Sequence, residues 1–182
     1  MVAPTEDLKN EHGVIVKMLR VMGKASANLL DGKEVDPELW KGALEFLQNF
    51  VDRCHHTKEE KHLFPTMMER GVSGEVGPIS VMMREHEDGR AHVRRLRELN
   101  EAAPGKRNSE DIARTVQAYV DLLTRHISKE DGVLFPLADQ VLTPDDQKEL
   151  EEKFEDVEQK VMGPGVHEKY HHMIEDWEKR YG

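Results

Sequence analysis

The chain has 182 residues, 37% of them hydrophobic, 34% charged and 5% aromatic, a length that fits one domain. Twenty-six Lys and Arg against 36 Asp and Glu leave a net charge of −10, which disfavours nucleic acid or an anionic membrane surface as the main partner. The apolar residues recur too regularly for a disordered chain, no run approaches the roughly 18 apolar residues of a membrane span, and MVAPTEDLKN has no leader-like basic and apolar blocks. With Cys54 as the one cysteine, no disulfide forms within the chain; together these features predict a cytoplasmic protein.

Helical periodicity dominates from the start. Leu8, His12, Ile15, Leu19, Met22, Ser26 and Leu29 form one stripe, closed by Gly32. Asp36-Pro37 is an N-cap and first-turn pair for a second helix whose stripe is Leu44, Leu47, Val51, His55 and Glu59. GVSGEVGP (71–78) breaks the chain. A third helix carries Ile79, Met82, His86, Val93 and Leu96. AAPGKRNS (102–109) is the next turn, with Ser109 as its predicted cap. A fourth helix carries Ile112, Val116, Tyr119, Leu122, Leu123, His126 and Glu130. Thr143-Pro144 starts a charged fifth helix, and Met162-Gly-Pro-Gly165 separates it from a short sixth over 166–181. No strand pattern, phosphate loop or nucleophile elbow is present. The expected fold is all-α: an antiparallel up-down-up-down four-helix bundle (1–140) with C-terminal helices (141–182) packed on its outside.

An internal duplication carries the chemistry. His55-His56-Thr57-Lys58-Glu59-Glu60-Lys61-His62-Leu63-Phe64-Pro65 aligns with His126-Ile127-Ser128-Lys129-Glu130-Asp131-Gly132-Val133-Leu134-Phe135-Pro136. The shared pattern is HxxKE(E/D)xxLFP. Upstream of each copy stands an EH pair, Glu11-His12 and Glu85-His86. Residues i and i+4 share a helix face, so His55 with Glu59, and His126 with Glu130, each reach one point. His12 and His86 lie within apolar stripes and face inward. Four imidazoles and two carboxylates then converge from four helices: His12, His55, Glu59, His86, His126 and Glu130. A mixed N/O set suits iron, manganese or zinc rather than calcium. The numbers suggest two metals bridged by Glu59 and Glu130, with room for an oxo or hydroxo bridge and an open position on each. Only His55 and Glu59 match the register of the second copy; His56 points about 100° away on an ideal helix and is expected at the surface.

The two HxxKE(E/D)xxLFP blocks and the two EH pairs resemble the hemerythrin-like, or HHE cation-binding, domains over about residues 5–140. The resemblance implies an antiparallel four-helix bundle around a non-haem di-iron centre held by the six residues above. It also implies dioxygen, nitric oxide or peroxide as the small-molecule partner, in binding, sensing or reduction with an external electron donor, or an iron-responsive regulatory or storage role. The oxygen-carrying members have a fifth histidine four residues from the one on the third helix; here Met82 and Arg90 occupy those places, and His92 lies off the stripe. This chain therefore looks closer to the four-His, two-Glu members. The carriers also place their last carboxylate five residues after its histidine, where Asp131 stands; Glu130 is preferred because it repeats Glu59. The repair-type members carry an additional cysteine-bearing N-terminal domain, which is not seen here.

Other residues have two readings each. Tyr119, two turns before His126, either hydrogen-bonds or reduces a bound species, or packs in the core; Gln48 holds the equivalent place. Gly89 leaves space beside a metal or permits close helix packing. Arg90 pairs with a rim carboxylate or is solvated. Ile15, Leu19, Met82 and Met83 wall the pocket or, as an apolar stripe, belong simply to the core. Pro65 and Pro136 should kink or end their helices. His62 completes a ferritin-like ExxH with Glu59 that the second copy lacks. His167 and His171 form an i, i+4 pair on a helix whose stripe (Val166, Tyr170, Ile174, Trp177, Tyr181) predicts docking instead.

Overall fold

A computed structural model describes residues 2–102, 108–163 and 165–181, with only the backbone of His167. These residues are all-helical, with no strand among them. Six helices follow in order: α1 (Pro4–Leu30), α2 (37–69), α3 (Pro78–Glu101), α4 (109–141), α5 (Pro144–Val161) and α6 (Val166–Tyr181). Their starts follow local chemistry. Asp36 accepts a hydrogen bond from the Glu38 amide ahead of Pro37. Thr143 and Asp146 close a reciprocal capping box. The cap of α4 is Asn108, not Ser109: its side chain accepts from the amides of Glu110 and Asp111. Asparagine one residue earlier can hold the extended cap geometry and leave Ser109 as the first helical residue.

α2 and α4 are not uniform. Each widens into a π turn that starts at its inward glutamate, at Glu59–Leu63 and Glu130–Leu134. The amide of Phe64 bonds the carbonyl of Glu59, and that of Phe135 bonds Glu130. Pro65 and Pro136 follow at once. They do not end the helices, which run on to Glu69 and Val141. A proline cannot donate to the carbonyl four residues back and crowds it; the widened turn shifts the ladder where that conflict would arise. A further π stretch, Leu47–His55, ends on the first inward histidine of α2.

α1 packs on α2, α4, α5 and α6, and α3 packs on α2 and α4. Two apolar cores result. One contains Ile15, Leu19, Val51, Cys54, Leu96 and Leu123; the other contains Leu8, Leu63, Phe64, Ile79, Met82 and Leu134. Along each of the first four helices the histidines fall between a residue of one core and a residue of the other. The polar residues are thus a layer with oil above and below. Met83, expected in a wall, is instead 40% exposed, because Met82 already takes the inward position beside His86.

The C-terminal helices seal one flank. Leu150, Phe154 and Val157 of α5 are buried, and Tyr170, Ile174 and Trp177 of α6 join the first core. Arg70 at the end of α2 donates two hydrogen bonds of 2.7 Å to Asp146. α6 lies against α2 at Gly42: a Cβ there would lie 2.4 Å from the Trp177 ring. Gly42→Ala is therefore expected to displace the indole, destabilising the chain by about 1–3 kcal/mol. Urea unfolding and a red shift of tryptophan emission report it; unchanged stability and emission would show that α6 is not seated on Gly42.

Candidate metal centre

The six residues picked out by spacing come together. His12, His55, His86, His126, Glu59 and Glu130 are all buried, the two glutamates completely. The imidazoles turn their Nε2 atoms inward. His12 Nε2 lies 3.1 Å from His55 Nε2, and His86 Nε2 lies 3.1 Å from His126 Nε2. Around the carboxylates, His12 and His126 Nε2 stand 3.2 and 3.1 Å from Glu130. His86 and His55 Nε2 stand 3.4 and 3.7 Å from Glu59. None of the imidazole–carboxylate contacts has hydrogen-bond geometry, and all four carboxylate oxygens are buried without a hydrogen-bond partner. One compact set of donors is His12, His55, Glu59 and Glu130; a second contains Glu59, His86, His126 and also His56, with the donor atoms of each set within 4.8 Å of one another.

Each imidazole is held from behind by an acid. Asp131 Oδ1 lies 2.8 Å from His12 Nδ1 and Glu11 Oε2 2.7 Å from His55 Nδ1. Glu60 Oε1 lies 2.7 Å from His86 Nδ1 and Glu85 Oε2 3.0 Å from His126 Nδ1. A carboxylate at Nδ1 fixes the tautomer with the proton there and leaves the Nε2 lone pair pointing inward, the form that ligates a metal. Lys58 in turn donates 2.8 Å bonds to Glu11 and Asp7, and it also pairs with Glu158 of α5. Lys129 pairs with Glu85 in the other half. Phe135 stacks on His12, and Phe64 on His86. The fixed letters of the repeat thus each serve the centre. H turns inward, K pins the acid of the EH pair, and E faces the centre. The following E or D holds the next helix's histidine, and F stacks on that same ring.

The fourfold arrangement was only half visible in the spacing. Asp131, an alternative ligand to Glu130, is 41% exposed and sits behind His12 instead. The signal for the outer acids was present: both EH glutamates and both residues after the inward glutamates are acidic in the two copies. His56 departs from expectation. It is 4% exposed and stacks on His86 at 3.8 Å, because the widened α2 buries more than one face. Its counterpart Ile127, a core residue, already marked that register as internal. Half-buried His62 lies in neither donor set, so the ExxH spacing does not build a ferritin-like pair here. Arg90 bonds Asp52, Glu60 and Glu87, and Arg97 bonds Gln48. Gly89 and Tyr119 line a cleft of about 150 Å³ that also reaches His56, Asp52 and Arg90. The side chain of His167 lies outside the described residues, and with it the expected His167–His171 pair.

Burial and the neighbouring charges set the protonation of the ring. Burial and the facing Glu130 raise the Glu59 carboxyl well above the usual range. Burial acts on Glu130 in the same sense, but His126 and His12 outweigh it and hold that carboxyl low. Burial, with His12 beside it, pushes His55 down. Burial also opposes the charge on His12, yet Asp131 and Glu130 lift that imidazole to about 9.

The family model described as Hemerythrin HHE cation binding domain matches residues 3–138. The chain belongs to this family. Across its whole length the HHE chain is 27% identical to an uncharacterized protein of Mycobacterium tuberculosis, covering 71% of that protein. It is 40% identical over 88 residues to the iron-sulfur cluster repair protein DnrN of Neisseria gonorrhoeae, 44% of this chain and 54% of that one. It is 31% identical over 108 residues to the iron-sulfur cluster repair protein YtfE of Escherichia coli, 56% of this chain and 49% of that one. No solved structure matches the chain significantly. No helix among the described residues is long and apolar enough to cross a membrane.

Two outcomes follow for cation binding by this HHE chain. With His12 lifted to about 9, a proton competes for its Nε2 below that pH. Apparent cobalt(II) affinity in chelator-buffered titrations should rise between about pH 7 and about pH 9, by up to about tenfold per unit for each proton released; a flat profile would contradict a protonated His12. Glu11→Ala and Glu85→Ala should each weaken cobalt(II) about 10–100-fold in the same competition assay, whereas unchanged affinity would show that these acids do not orient the imidazoles.

Proposed function

We propose that the chain is a non-haem di-iron protein that binds or senses dioxygen or nitric oxide. Its first four helices act as an antiparallel up-down-up-down bundle over 1–140, with 141–182 as a helical appendage. His12, His55, Glu59, His86, His126 and Glu130 would hold the two irons, with Glu59 and Glu130 shared between them. One observation carries this reading: four buried oxygens of two facing carboxylates have no hydrogen-bond partner. Uncompensated burial of such groups costs several kcal/mol, and a pair of cations removes that cost. The donors fit iron by type, imidazole and carboxylate in mixed number. Bound iron would supply a redox couple and an open position for a small ligand.

The protein's own groups do the rest. Glu11, Glu60, Glu85 and Asp131 keep the protons on Nδ1 and the rings in place. Phe64 and Phe135, with the two cores, exclude bulk water. The enzyme reading, in which peroxide or nitric oxide is reduced by an external donor, draws support from buried Tyr119 lining the cleft beside His56.

Anaerobic iron loading, metal counting and stopped-flow mixing with dioxygen, nitric oxide and peroxide test the proposal. About two irons per chain and a reversible spectral change without turnover are expected. Sustained peroxide consumption with an electron donor would move the assignment to the enzyme. Two irons retained by the Glu59→Gln, Glu130→Gln double variant would overturn the site altogether.

A further inference from the structure

We propose that the cleft between α2, α3 and α4 binds a small organic acid, with a carboxylate at its mouth, an apolar body along its walls and a neutral hydrogen-bonding group at its inner end. This site is separate from the metal pair and does not rest on the two-iron reading.

The duplicated halves diverge where the cleft forms. In α2 the segment Leu47–His55 is a π stretch, while the matching segment of α4 lies in the regular helix Ser109–Lys129. π turns are uncommon and often mark functional sites. The turn at Glu59 recurs in α4 ahead of the same proline, but the Leu47–His55 stretch has no such counterpart. Leu47, Gln48, Val51 and Asp52 on that stretch form one wall of the cleft. Gly89, Arg90, Val93, Arg94 and Arg97 of α3 form another, and Tyr119 of α4 closes it from within. The space is about 150 Å³, comparable to a cavity that admits a benzene ring.

Tyr119 supplies the inner donor. It is only 4% exposed, yet its hydroxyl has no hydrogen-bond partner among the described residues. A buried tyrosine hydroxyl ordinarily finds one. Burial and the nearby Asp52 charge raise the phenol, so it stays protonated and donates. α3 leaves room beside the ring: a Cβ on Gly89 would stand 3.7 Å from Tyr119 Cε2.

Positive charge lies at the other end. Arg94 and Arg97 follow Gly89 at about 7–12 Å along the helix axis. Arg97 donates to the neutral side-chain oxygen of Gln48 at 2.7 Å, and Arg94 is exposed. No acid among the described residues pairs with either. Asp52, the acid of this wall, is held by Arg90 at 2.6 Å. Two guanidinium groups without acids suit a carboxylate. Asp52 beside Tyr119 disfavours a second negative charge at the inner end, and Leu47, Val51 and Val93 offer apolar contact between the two.

4-Hydroxybenzoate has this chemistry and serves as the probe. Amide NMR spectra of the full chain, metal-free and zinc-loaded alike, should show saturable shifts around Gln48, Val51, Val93 and Tyr119, with a Kd of about 1 mM or below. Arg94→Gln combined with Arg97→Gln should weaken the probe at least about tenfold, and Tyr119→Phe about 3–10-fold. Benzoate, which lacks the hydroxyl, should bind wild type more weakly by that same 3–10-fold and should lose nothing further in Tyr119→Phe; a merely structural tyrosine would not produce that coupling. Gly89→Ala fits at ordinary contact distance and should weaken the probe without lowering the melting temperature. Circular dichroism checks that each variant folds. Absence of saturable shifts, or unchanged affinity in these variants, would overturn the inference. So would equal binding of 4-hydroxybenzyl alcohol, which marks a merely apolar crevice, or of inorganic phosphate, which marks an unselective basic patch. Binding that needs zinc and survives the arginine substitutions would place the acid on the metal and overturn it as well.

Discussion

Two carboxylates face each other in a dry interior, and the structure is organised around that unfavourable meeting. Glu59 and Glu130 are both fully buried, above and below them lie apolar cores, and removing one ionised carboxylate from water costs several kcal/mol. Imidazoles relieve part of that cost: His12 and His126 hold the Glu130 carboxyl low, while burial and Glu130 hold that of Glu59 high. Full relief needs more positive charge than neutral imidazoles can bring. A bound pair of cations, as proposed, would provide it, and folding and metal binding would then be one thermodynamic problem.

The solution is cyclic. Glu11 of α1 holds His55 of α2, Glu60 of α2 holds His86 of α3, Glu85 of α3 holds His126 of α4, and Asp131 of α4 returns to His12 of α1. Each helix supplies an inward ring and the acid that orients its neighbour's ring. No single helix can shift without loosening a donor on the next. The ring is also tied outward, through Lys58, to Glu158 of α5, so α5 bears directly on the acid that holds His55.

Much of this was legible before any coordinate. The 3–4 spacing of apolar residues gave the helices, Asp36-Pro37 and Thr143-Pro144 gave their starts, and the doubled HxxxE with its EH echoes gave the six inward donors, because i and i+4 geometry is nearly context-free. What escaped depends on departures from the ideal helix or on contacts between helices. His56 looked like a surface residue by its angle on a regular helix, but α2 widens around it and packs on two sides. Asp131 carried the right chemistry for a ligand, and only the direction of its neighbour Glu130 shows that it serves from behind. The prolines announced a disturbance without saying that a π turn absorbs it. The outer acids were written in the repeat, yet their pairings join different helices, and spacing along one chain cannot assign those partners.

Anomalous diffraction at the iron edge from crystals of the loaded protein addresses the central claim most directly. Two iron peaks about 3.5–4 Å apart, flanked by Glu59 and Glu130 and reached by the Nε2 atoms of the four inward histidines, are the expected result. A single peak, or iron bound away from these two carboxylates, would contradict the account.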